Sequence, residues 1–72
     1  MEVRYIMDAI DCLERAWLNT QELVRDFEMY SKRIKEGEVS STFKKLAEQE
    51  GKAASELREL LSQKEQLDRL IA

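Results

Sequence analysis

The chain has 72 residues, enough for one small domain, and its 12 Lys+Arg against 15 Asp+Glu leave a formal charge of −3. That balance argues against a nucleic-acid binder, whose affinity comes from concentrated positive charge. The absence of His removes imidazole ligands and bases, and one Cys cannot form an intrachain disulfide or a Cys-rich zinc site.

There is no Pro, Gly occurs only at 37 and 51, and charged residues make up 38% of the chain. This is the composition of long helices rather than of a sheet protein or a disordered tail. No stretch approaches the roughly 18 uninterrupted apolar residues of a membrane span. Glu2, Arg4 and Asp8 interrupt the first ten residues, so they do not read as a signal peptide. A cytoplasmic protein with no membrane or nucleic-acid partner is the expectation.

Apolar residues recur with alternating spacings of four and three from Ile6 through Ile10, Leu13, Trp17, Thr20, Val24, Phe27 and Ser31 to Ile34. That period predicts helix one over about 2–36. Ala9, Ala16, Leu23 and Tyr30 sit one position before seam residues and widen the stripe, which suits packing against more than one neighbour.

Lys35-Glu36-Gly37 reads as a stop, since Gly takes the left-handed C-cap conformation without steric penalty. The turn is expected at about 36–39. A second four-three seam follows: Val39, Phe43, Leu46, Glu50, Ala53, Leu57, Leu60, Lys64, Leu67, Ile71. It predicts helix two over about 39–71, flanked by Ala47, Ala54 and Leu61, with Ser40, Ser41 and Thr42 as candidate caps. A turn this short makes the helices antiparallel neighbours.

The expected fold is therefore all-α, one long antiparallel two-helix hairpin. Two helices touching along one line leave much of each stripe wet. A second hairpin would cover it, so dimerisation into a four-helix bundle is the expected solution. The residues expected at the core or dimer interface are Ile10, Leu13, Trp17, Val24, Phe27, Phe43, Leu46, Leu57 and Leu60.

Four seam positions are polar: Thr20, Ser31, Glu50 and Lys64. Lys64 is near a helix end, where its stem packs while its ammonium reaches water. Thr20 and Glu50 lie well inside their helices, and in an antiparallel hairpin they share one neighbourhood. A carboxylate there is costly unless it is solvated, hydrogen-bonded, paired or bound to metal. Partial solvation, or a bond to Thr20, Tyr30 or a basic side chain, is the structural reading. Metal ligation by Glu50 is the functional one.

Residues 43–61, FKKLAEQEGKAASELRELL, resemble the second helix of the first hairpin in rubrerythrin-like proteins of the ferritin-like superfamily. Phe43, Leu46, Ala47 and Glu50 match that helix, and Phe27 matches an upstream aromatic. The resemblance implies a ferritin-like bundle. It also implies an iron or manganese site, but Ala53 stands where the family has the His of its Glu-x-x-His, and Thr20 where it has the first-helix Glu. Of three expected ligands only Glu50 is present, so the metal-free relatives are the better comparison.

Gly51 reads as a tolerated helix Gly, with a bulge or close backbone contact as the alternative. Trp17 reads as a bundle anchor and Cys12 as an inert thiol. The expected function is non-enzymatic and without cofactor: self-association as a homodimer, or packing against a helical partner protein. The alternative is a metal-binding redox protein that uses Glu50 from paired chains.

Overall fold

Helix α1 begins where Asp8 stops being helical. The Asp8 backbone is extended (φ −80°, ψ 178°), and its carboxylate accepts from the Asp11 N–H at 2.9 Å. That bond satisfies one of the donors a helix start leaves orphaned. The first intrahelical bond runs from the Cys12 N–H to the Asp8 carbonyl at 3.1 Å. α1 then spans Ala9–Arg33 and α2 spans Gly37–Ile71. The computed structural model describes residues 8–71, excepting the side chains at 68, 69 and 71. The expected start of helix one near residue 2, the seam position Ile6 and the side chain of Ile71 lie outside the described residues.

The turn differs from its expectation. α1 ends at Arg33, three residues early, and α2 starts at Gly37, two residues early, so the link is residues 34–36. No glycine has a positive φ, so Gly37 is not a left-handed stop; it opens α2. The chain leaves α1 through an extended Ile34 (φ −85°, ψ 126°), whose N–H donates to the Tyr30 carbonyl at 3.0 Å. The next carbonyl, that of Ser31, accepts from the Ser40 hydroxyl of α2 at 2.5 Å. α2 thereby closes the end of α1 with a side chain, which removes the need for a glycine there. Ser40 is thus a link between helices rather than a cap of its own. Thr42 likewise does not cap: its hydroxyl donates back to the Glu38 carbonyl at 2.9 Å.

The helices pack against each other in antiparallel order. Ring centroids of Phe27 and Phe43 are 5.8 Å apart, and Tyr30 meets Phe43 edge-on at 5.3 Å. Farther from the turn, the Arg58 guanidinium lies 5.0 Å from the centroid of the Trp17 ring. Partners on α2 thus rise in number as those on α1 fall. The molecule is 12 Å across its thinnest axis, a single layer of helix.

A single layer encloses little. Among the described residues only Ala47 and Leu61 are buried, at 5% and 1% exposure, and none of α1 is. The inner line of α1 follows its predicted seam: Ile10, Leu13, Trp17, Thr20, Val24, Phe27, Ser31 and Ile34 are all half-buried. On α2 the innermost line is displaced to the flank, through Phe43, Ala47, Glu50, Ala54, Leu57 and Leu61. Leu60, expected on the seam, is 42% exposed.

Leu61→Ala should therefore cost about 2–5 kcal/mol, as a fully buried leucine does, and chemical denaturation reads that loss directly. Gly51 lies in unbroken helix, and a Cβ there would meet nothing within 4 Å. Gly51→Ala should accordingly raise stability by about 1 kcal/mol, seen as a higher thermal midpoint. No increase would mean that something outside the chain sits against that backbone.

Candidate functional site

Glu50 is half-buried on the inner line of α2. Its expected companion does not reach it. The Thr20 hydroxyl donates to two carbonyls of its own helix, those of Ala16 and Trp17, each at 2.9 Å. Tyr30 is turned edge-on to Phe43. Among the described residues Glu50 has no hydrogen-bond or ion-pair partner. Nor do three or more His, Cys, Asp or Glu side chains converge anywhere among them in a way that would hold a metal ion. Among the described residues one chain therefore gathers no ligand set around Glu50, and any fuller set has to be assembled between chains.

The expected interface residues divide by position. Ile10, Leu13, Trp17, Val24 and Phe27 form the half-buried inner line of α1, and Phe43, Leu46 and Leu57 are half-buried on α2. Leu60 faces outward. Trp17 is half-buried rather than enclosed, and the Arg58 guanidinium lies over its ring. Periodicity does not reveal that pairing, because Arg58 lies between seam positions. Cys12 is free and exposed.

The two broad faces of the hairpin are chemically different. One carries an open groove lined by Val24, Glu28, Ser31 and Lys32 of α1 and by Ser40, Ser41, Lys44, Ala47, Glu48 and Gly51 of α2. Its residues are small or charged, with both signs present. The opposite face carries two heptad rows. Residues seven apart lie on nearly the same side of a helix. Ala16, Leu23 and Tyr30 form the row on α1, with Leu46, Ala53, Leu60 and Leu67 on α2. Leu23, Tyr30, Leu60 and Leu67 are all exposed, Leu67 to 49%. An apolar band along a whole face of a small protein is the mark of a surface that meets another surface.

Two outcomes check this arrangement. Because the Thr20 hydroxyl serves only its own helix, Thr20→Val should leave stability unchanged or slightly raised; a loss above about 1 kcal/mol would reveal a bond across the bundle. Melting with chelator and with added iron or manganese should give the same midpoint, since no ligand cluster forms among the described residues of one chain. A midpoint raised by metal, and no longer raised in Glu50→Gln, would instead identify a site shared between copies.

No protein family, curated protein or solved structure matches this chain. The ferritin-like resemblance thus rests on its own residues and on a hairpin shape that many helical proteins share.

Proposed function

We propose that the chain is a non-catalytic assembly element. It works by covering its apolar face with a second copy of itself, giving a four-helix bundle of ferritin-like form. The observation that carries this reading is the apolar row Leu46, Ala53, Leu60, Leu67, exposed at Leu60 and Leu67, beside the exposed Leu23 and Tyr30, in a hairpin that buries only Ala47 and Leu61 among its described residues. Burial of apolar area is the dominant favourable term in folding and association, and the exposed band leaves part of it to be gained between chains. No described helix is long and apolar enough to cross a membrane. A cytoplasmic setting fits a chain whose cysteine is free.

Sedimentation equilibrium should give a dimer mass at micromolar concentration, and the thermal midpoint should rise with protein concentration. Leu60→Glu places a charge in the exposed band without touching Leu61. It should lower the dimer fraction and flatten that concentration dependence, whereas Lys44→Ala on the grooved face should change neither. A wild-type chain that stays a folded monomer at all concentrations would refute self-association and leave a different helical protein as the partner.

A further inference from the structure

Two charges share the heptad position that borders the apolar row of α2 and its inner line, and their placement selects one way of joining two copies. Glu50 and Lys64 are fourteen residues apart, at equivalent heptad positions, with Leu57 midway between them. At 1.5 Å per residue they are about 21 Å apart along the axis, far beyond an ion pair within one helix. Neither has a hydrogen-bond or ion-pair partner among the described residues. Glu50 is half-buried and Lys64 exposed.

Resting on the self-association reading, we propose that two copies pair face to face about a two-fold axis beside Leu57, with their α2 helices antiparallel. Each Glu50 then comes level with Lys64 of the second copy. The axis applies the pairing twice, so Glu50 and Lys64 of both copies are neutralised in one arrangement. The parallel arrangement, with both turns at one end, sets Glu50 against Glu50 and Lys64 against Lys64, and like-charge juxtaposition is costly.

The apolar row obeys the same symmetry. Reversing α2 about a point beside Leu57 brings Leu60 of one copy within one residue of the level of the small Ala53 of the other, and Leu46 within one residue of Leu67. Large side chains thus face small ones at the centre, where packing is tightest. The face runs about 32 Å from Leu46 to Leu67 and is two helices, about 20 Å, wide. Its footprint, on the order of 600 Å², approaches the ~800 Å² per partner of a standard stable interface.

Charge reversal tests the register. Glu50→Lys and Lys64→Glu, made separately, should each weaken self-association about tenfold or more, because both reciprocal contacts become repulsive. Mixing the two single variants should restore wild-type association as a heterodimer. One chain then carries a lysine at both positions and the other a glutamate at both, so each contact across the interface joins opposite charges. The double variant E50K/K64E should restore association in one chain, and it serves even if a single variant folds poorly. Sedimentation equilibrium at two salt concentrations reads all four, and the losses should shrink at high salt. Wild-type dimers with no preference for mixing, and no rescue in the double variant, would overturn this pairing and leave self-association standing. Monomers throughout would overturn both.

Discussion

The contact between α1 and α2 is a single line, and most of what distinguishes this protein follows from that geometry. A helix in a layer one helix thick has a neighbour on one side only, so even its inner residues keep part of their surface in water. Every inner residue of α1 is half-buried for this reason, including Trp17 and Phe27. Dryness is reached only at Ala47 and Leu61 among the described residues. Helical propensity supplies the two rods, but propensity alone stabilises isolated helices weakly, and tertiary packing has to do the rest.

The two sides of that line meet the shortage differently. On the grooved side, long charged side chains substitute for a neighbour. Arg58 lays its guanidinium over Trp17, and Lys44, Lys32, Glu28 and Glu48 surround a strip of serines, alanine and glycine. Such stems cover apolar surface while their heads stay hydrated, and beside them only Met29, next to Glu28 and Lys32, stays open among the described apolar residues near the groove. The other side has leucines and an exposed tyrosine edge where such stems would be. The hairpin is amphipathic as a slab, in the way that a single surface helix is amphipathic as a rod.

The helices and their antiparallel order are legible in the sequence because a period maintained along both halves of the chain has one structural meaning. The inner line of α1 is legible to the residue. On α2 it is not. Phe43, Glu50 and Leu57 belong equally to a four-three line through Leu46, Ala53 and Leu60 and to another through Ala47, Ala54 and Leu61. Periodicity cannot choose between lines one residue apart when both are apolar; only the neighbouring helix does, and it takes the second. The turn departs from its expectation for a related reason. A glycine after basic residues is a common stop, but a hydroxyl nine residues beyond Ser31 supplies the closing bond instead. Their spacing from the turn puts Thr20 and Glu50 in one neighbourhood of the hairpin. A threonine in a helix has carbonyls of its own preceding turn within reach, however, and those win.

The Ser40–Ser31 bond sets an order of events as well as a shape. It joins residues nine apart, a loop of the size that closes in about 10–100 ns, whereas the Trp17–Arg58 contact spans most of the chain. Short loops cost the least entropy to close, so pairing starts at the turn, with the Tyr30, Phe27 and Phe43 rings following within the next turns of helix. The hairpin closes like a zip from that end, and under tension applied at its two termini it parts in the opposite sequence, its free ends first and the serine clasp last.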